Sequence, residues 1–247
     1  MRTTVSTLVM LGCLVVAAAG APAEKPRALV VTGGHGFDEQ KFGQTFKRCT
    51  DMEVNFIAHK KFLSMLKDGS AAEADVFVMF NHGTKIDKKA RKAFKKALKN
   101  GTGLVVLHHA IIGYPGWPGY CNITGGRYFH NKRDWKGQTY EPSSFKHDVD
   151  MPVNVTDTDH PITRGIGDFK IHDETYAGMW VDPDNTVLLT TDHPKADREL
   201  GWAKTWKKAR VVYIQPGHGP TVYGREPYQK LVARSMRWTA RMKPAAE

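Results

Sequence analysis

Cysteine is scarce in this sequence: three residues in 247, with no Cys-x-x-Cys pair among them. That spacing excludes a thioredoxin-type redox couple and a zinc-finger knuckle. Cys13 falls in an N-terminal apolar run, which leaves Cys49 and Cys121. These two could pair in an oxidising compartment or stay as two buried thiols, and their positions favour neither. Nucleotide-binding signatures are absent as well. No Gly-x-Gly-x-x-Gly follows the first strand and there is no P-loop, so no nucleotide cofactor is expected. Without a Gly-x-Ser-x-Gly elbow, serine-hydrolase chemistry of the α/β-hydrolase type is also excluded. No repeat, low-complexity segment or linker divides the chain.

Charge is nearly missing from the first residues. Arg2 is the only charged residue before Glu24, and between them runs Leu8–Ala19, rich in Leu, Val and Ala. A basic start, a short apolar core and the small residues of Ala17–Ala23 form the pattern of a secretory signal peptide. The run is shorter than the roughly 20 apolar residues a membrane helix needs. The expectation is cleavage between Ala19 and Ala23. Residues 1–23 would be the signal and 24–247 one domain, exported to the periplasm or the extracellular space, with no stable membrane insertion after cleavage. The oligomeric state stays open.

The formal charge is +11, from 36 Lys and Arg against 25 Asp and Glu. The excess sits in Lys85–Lys99 and Lys204–Arg210, without alternating aromatics for base stacking, so a nucleic-acid partner is not expected. Ala90, Phe94, Ala97 and Leu98 recur at helical spacing within the first run. The lysines there make the solvated face of an amphipathic helix.

What the chain does have is alternation. Ala28–Thr32, Met52–Ala58, Asp75–Phe80 and Gly103–Leu107 read as strands. Asp38 and Asp87 are placed to cap helices, Phe42 and Phe46 to face inward, and Asn100-Gly101 to end the lysine-rich helix. Continuous apolar strands separated by helices predict a parallel sheet covered on both faces. Tyr114–Tyr120, rich in Gly, Pro and aromatics, reads as a loop over the sheet edge. His147–Thr156, Phe169–Tyr176 and Thr186–Thr191 read as strands, the last two as antiparallel additions. Arg210–Gln215 is a final core strand, and Tyr228–Met242 a closing helix that buries Leu231, Met236 and Trp238.

Four of the strand ends carry histidine: His35, His82, His108 with His109, and His218. In open parallel sheets ligands bind beyond the carboxyl ends of the strands. Glycines flank three of these ends, so the backbone can turn tightly and approach a ligand. Gly125-Gly126-Arg127-Tyr128-Phe129-His130 and His172-Asp173-Glu174-Thr175-Tyr176 could reach the same edge, adding a histidine, an arginine and two carboxylates. Histidine with carboxylate suits general acid–base catalysis at neutral pH, and it equally suits zinc. Both readings stay open at this level. Asp159-His160-Pro161 reads as a structural turn.

The ordered set Gly33-Gly34-His35, Leu107-His108-His109-Ala110, Trp117 with Tyr120, Gly125 to His130, Asp159 to Thr163, Asp173 to Tyr176, Trp202, Arg210 to Tyr213 with Gly217-His218, and Arg237-Trp238-Thr239-Ala240 resembles the ThuA-like family, named for trehalose utilisation. The stations cover nearly all of the chain beyond the signal. The resemblance implies a flavodoxin-like, class I glutamine amidotransferase-like three-layer α/β fold, with a mostly parallel sheet and antiparallel additions. Glutaminase relatives need a cysteine on the turn after Leu107, where this chain has His108-His109-Ala110, so glutaminase chemistry is not expected. The family usually places a small residue where His109 stands.

What the resemblance implies is carbohydrate catabolism, with trehalose or a keto-disaccharide as substrate. The chain would then be a hydrolase or isomerase with a sugar partner, or else a non-catalytic carbohydrate-binding or accessory protein. The expected catalytic residues are His108, Glu174 and Asp173. Zn2+ or another divalent metal would be held by His35, His130 and His218. Substrate would meet His109, Trp117, Tyr120, Arg127 and Tyr176. Tyr114, Tyr128 and Trp180 are further candidates for stacking on a sugar.

Overall fold

Strict two-residue alternation sorts each core strand between two apolar layers. In the computed structural model, which describes residues 24–242, Ala28 and Val30 pack into one layer and Leu29 and Val31 into the other. Val76, Val78 and Phe80 likewise oppose Phe77 and Met79, and Val105 and Leu107 oppose Leu104 and Val106. A strand buried on both faces must read as a continuous apolar run, as these do.

The elements follow in chain order: β1 (Arg27–Gly33), α1 (Glu39–Phe42), β2 (Glu53–Ala58), α2 (His59–Asp68), β3 (Val76–Asn81), α3 (Lys88–Asn100), β4 (Gly103–Leu107), α4 (Pro118–Thr124), β5 (Gly126–Arg127), β6 (Arg133–Trp135), β7 (Gln138–Tyr140), β8 (Ser144–Val155), β9 (Phe169–Ala177), β10 (Trp180–Val181), β11 (Thr186–Thr190), β12 (Glu199–Trp206), β13 (Ala209–Ile214), α5 (Pro220–Tyr223) and α6 (Glu226–Thr239). Nine strands form one sheet in the order β2-β1-β3-β4-β13-β12-β11-β8-β9. The first five are mutually parallel, and from β13 outward each pairing is antiparallel. Helices cover both faces, giving the expected three layers.

The caps act as their chemistry requires. Asp38 accepts the Lys41 N–H at 3.0 Å and Asp87 accepts the Ala90 N–H at 2.8 Å. Each satisfies a helix N–H that has no partner within its helix. α3 buries Ala90, Phe94, Ala97 and Leu98 and ends at Gly101 in the left-handed conformation (φ +118°). α6 buries Leu231 and Met236, with Trp238 half-buried beneath the Arg210 guanidinium, 4.8 Å from the ring.

Beside the short β5, β6, β7, β10 and α5, which the sequence did not announce, three segments depart from the sequence reading. β12 was not anticipated. Its residues, Glu-Leu-Gly-Trp-Ala-Lys-Thr-Trp, set Glu, Lys and Thr around a short buried centre, Leu200–Ala203, between two antiparallel neighbours. α2 follows β2 directly, with Phe62 and Leu66 buried. The segment read as a loop at 114–120 is packed instead: Tyr114, Trp117 and Tyr120 are all buried, and α4 starts at Pro118. Cys49 and Cys121 are both free and buried. No helix among the described residues is long and apolar enough to cross a membrane. The expected signal peptide lies outside the described residues.

Candidate functional site

Four parallel strands deliver histidines to one rim. After β1, Gly34 turns at φ +84°, and a Cβ there would lie 1.9 Å from the carbonyl oxygen of His82. Only glycine lets the chain pass this close to the end of β3, which brings His35 and His82 to a ring separation of 5.7 Å. After β4, His108 takes φ +48°, an uncommon conformation for a non-glycine residue. This sharp turn buries His108 completely and points His109 into the same rim. After β13, Gly217 (φ +124°) passes against Tyr228, where a Cβ would lie 2.2 Å from the hydroxyl. His218 follows, 5.7 Å from His35 and 5.2 Å from His108 between ring centroids.

The carboxylate comes from the far edge of the sheet. β9 is four strands from β13 in the ladder, yet Asp173 and Thr175 touch the segment that follows β13. The antiparallel arm therefore curls back over the strand ends. Asp173 and Glu174, consecutive on β9, point to opposite faces. Asp173 accepts the N–H groups of Gly217 at 2.7 Å and His218 at 3.1 Å. Glu174 faces three imidazoles: His147 Nδ1 at 2.7 Å, His108 Nε2 at 3.4 Å and His218 Nε2 at 3.5 Å.

His147 reaches this carboxylate because β8 carries a bulge. The pairing runs from Lys146 opposite Thr175 to Val149 opposite Asp173, so His147 and Asp148 together face Glu174. Asp148 has φ +55°. A bulge of this kind re-aims one side chain.

A cavity of about 260 Å³ lies over these groups. His35, His82, His109, His130, His147 and His218 line it together with Glu174, and Ile112, Tyr128, Phe145 and Tyr176 complete the wall. Phe145 stands at its mouth, 57 % exposed.

Burial controls the charge of the cleft. It lowers His109 to about 2, with His108 and His35 adding to the effect, and His218 to about 4. His82 is also lowered, by burial and then by His35. These three rings are neutral at neutral pH. Burial alone would raise the Glu174 carboxyl, but the hydrogen bond and charge of His108, with His218 and His147, bring it below its ordinary value. Burial pushes Asp173 up and Tyr176 well up.

One proton of His108 is placed by its surroundings. Nδ1 lies 2.6 Å from the Gln215 carbonyl oxygen, which can only accept, so Nδ1 carries the proton. Nε2 lies 3.4 Å from Glu174 and 3.0 Å from the Tyr176 hydroxyl. His109 is the opposite case: it is 97 % buried, and neither ring nitrogen has a hydrogen-bond partner.

Of the residues expected from sequence, His35, His109, His130, His218, Glu174 and Tyr176 meet at the cavity, with His108 directly behind it. Others stand elsewhere. Asp173 binds backbone and does not line the cavity. Trp117 and Tyr120 are core residues: Trp117 packs 6.0 Å from Phe94, and the Tyr120 hydroxyl donates to the Ala110 carbonyl at 2.9 Å. Arg127 covers the Trp135 ring at 4.1 Å and lines a neighbouring cleft. Tyr114 and Trp180 are likewise buried away from this cavity, whereas Tyr128 lines it.

The metal-competent set also differs from His35, His130 and His218. Among the described residues, the group with ligand atoms all within 4.8 Å of one another is His108, Glu174 and His218. Sequence reasoning missed His147 and Phe145, because nothing local announces a bulge or an exposed ring at a cavity mouth. His82 carried the strand-end signal but was not among the expected ligands. Chemically the cluster can pass protons between carboxylate, imidazole and phenol, or hold a divalent cation.

No curated protein matches the chain. Among solved structures, it is similar to a ThuA-like protein of Parabacteroides merdae, with TM-score 0.75 and 18 % identity over 91 % of this chain and 93 % of that one. A ThuA-like protein of Bacteroides uniformis aligns with TM-score 0.62 and 20 % identity over 90 % and 94 %. A β-galactosidase of Bacillus circulans contains a similar fold, with TM-score 0.54 and 9 % identity over 87 % of this chain and 31 % of that chain. The family profile described as ThuA, trehalose utilisation, matches residues 27–239. With that match spanning the whole sheet and every histidine of the cavity, the chain belongs to the ThuA family.

Proposed function

We propose that this protein is an exported enzyme of carbohydrate catabolism that hydrolyses or isomerises a sugar, trehalose or a keto-disaccharide, by acid–base chemistry in the histidine cleft. One observation carries the reading: Glu174 is a buried carboxylate that faces a cavity and touches three imidazoles. A carboxylate held ionised can take a proton from a sugar hydroxyl or a water, and His218, a neutral imidazole 3.5 Å away, can receive it. His147, at 2.7 Å, donates to the carboxylate and orients it. Tyr176 and His108 extend the path inward.

The walls suit a polyhydroxylated ligand. Neutral His109 offers one donor and one acceptor, matching a hydroxyl or a carbonyl oxygen. Phe145 presents an exposed ring for the apolar face of a sugar. At about 260 Å³ the cavity is near the small end of the range for ligand sites, about 300–1,000 Å³. It suits one sugar ring, with a second ring lying over Phe145. Export is supported by Arg2 and the Leu8–Ala19 run.

The test is to incubate purified protein with trehalose, its keto derivatives and other disaccharides, following products by chromatography, with Glu174→Gln as control. Turnover lost in that variant is the expected result. Sugar binding without turnover would establish the accessory, carbohydrate-binding reading instead, and neither binding nor turnover would refute both. N-terminal sequencing of native protein tests export: an intact Met1 overturns it.

A further inference from the structure

We propose that His108 Nε2, the Glu174 carboxylate and His218 Nε2 form a site for one divalent transition-metal ion of the zinc class. The site shares Glu174 with the sugar reading but does not rest on it, since an ion can bind here whatever the substrate.

The spacing is that of a ligand set. His108 Nε2 and Glu174 Oε1 are 3.4 Å apart, and His218 Nε2 and Glu174 Oε2 are 3.5 Å apart. Ligands at about 2.0–2.1 Å around a tetrahedral ion lie roughly 3.3 Å from each other. The third edge closes within 4.8 Å, a span that a small rotation of the half-exposed His218 ring can shorten.

The groups behind the ligands are arranged as metal sites require. A ligating imidazole characteristically donates its other N–H to a carbonyl or carboxylate, which fixes the ring and makes it more basic. His108 does this through Nδ1 to the Gln215 carbonyl at 2.6 Å. The carboxylate is steadied by His147 at 2.7 Å. The backbone N–H of His218 is pinned by Asp173 at 3.1 Å. Three ligands from three separate segments, with the cavity on the remaining side, match open catalytic sites of the two-histidine, one-carboxylate kind. Closed four-ligand structural sites look different.

A rival use of the same atoms exists. Tyr176 donating to His108, beside Glu174, makes a purely hydrogen-bonded cluster that needs no ion.

Titration calorimetry decides between them. Protein stripped with a chelator is titrated with Zn2+ and with Co2+, and the cobalt complex is followed by its visible absorption. One ion per chain is expected, with a tetrahedral or five-coordinate cobalt spectrum. Glu174→Gln and His218→Ala should each weaken binding at least tenfold, the scale on which even second-shell losses act. His130→Ala should leave affinity within about twofold, and circular dichroism of each variant checks folding. Since Glu174→Gln keeps size and shape, it remains informative if His108→Ala fails to fold. Absence of stoichiometric binding, or binding insensitive to both Glu174→Gln and His218→Ala, would overturn the assignment and leave the hydrogen-bonded cluster. Because the readout contains no sugar, failure of the carbohydrate reading leaves this result standing.

Discussion

Asp173 and Glu174 are adjacent on β9 and face opposite ways: one binds the backbone that carries His218, and the other meets the His218 ring. A single strand thus sets both the position of that histidine and its chemical partner. Replacing Asp173 with Asn keeps an acceptor but directs an NH₂ group at one of two N–H donors. The expected cost is about 1.5–3 kcal/mol, the range for hydrogen bonds to charged groups. Ligand binding in the cleft should weaken as well. Urea unfolding and sugar or Zn2+ titration measure the two effects, and wild-type values in both would refute this role.

His109 should separate function from stability. Its ring is buried without a hydrogen-bond partner, 4.4 Å from Phe80. Replacing an unsatisfied polar group with an apolar one of similar shape is close to neutral or stabilising. His109→Phe should therefore unfold within about 1 kcal/mol of wild type, or be more stable, while sugar turnover or binding falls at least tenfold. A large stability loss would mean that the ring has a structural partner after all.

Phe145 is predicted to act on affinity alone. It lines the cavity yet is mostly exposed, so truncation removes little buried surface. Phe145→Ala should leave the melting temperature nearly unchanged, as surface changes usually stay within about 0.5 kcal/mol. It should raise KM more than it lowers kcat. An unchanged KM on the turned-over sugar would exclude a stacking role.

Asp182 and Lys204 provide a pH test remote from the cleft. They pair at 2.7 Å and both are largely buried. Burial alone would raise the Asp182 carboxyl, but the Lys204 hydrogen bond and the Asp184 N–H outweigh it and hold the carboxyl below its ordinary value. An acid with a depressed folded pKa contributes stability above its unfolded value, near 3.9, and loses it as pH falls through the folded value. Asp182→Asn should therefore be less stable than wild type at pH 7, by about 1 kcal/mol. The gap should close below about pH 4. Denaturation at several pH values measures this, and a gap that widens in acid would contradict the sign.

The legible parts of the molecule were those encoded locally. The β1, β3 and β4 strands have continuous apolar centres, and Asp38 and Asp87 sit at the cap positions of their helices. The shared rim of His35, His108 and His218 followed from topology, since parallel strands end on one edge. Residues whose roles depend on distant partners were not legible. Alternation fixes that Asp173 and Glu174 face apart, but only the curl of the β8–β9 arm decides which one meets the cavity. Trp117 and Tyr120 have the composition of a binding loop and the packing of a core. His147 depends on a bulge that no turn residue announces.

The return of β9 from the outer edge of the sheet also constrains how the cleft comes into being. His35, His82, His108 and His109 leave the ribosome early, with the parallel strands, but their carboxylate follows much later, and its placement needs β13 and His218, which are made later still. Until the last core strand pairs with β4, Glu174 and the early histidines lack the His218 segment that joins them. The assembled cluster therefore forms only when the C-terminal strand docks, and a chain shortened before residue 209 lacks both His218 and the strand that positions it.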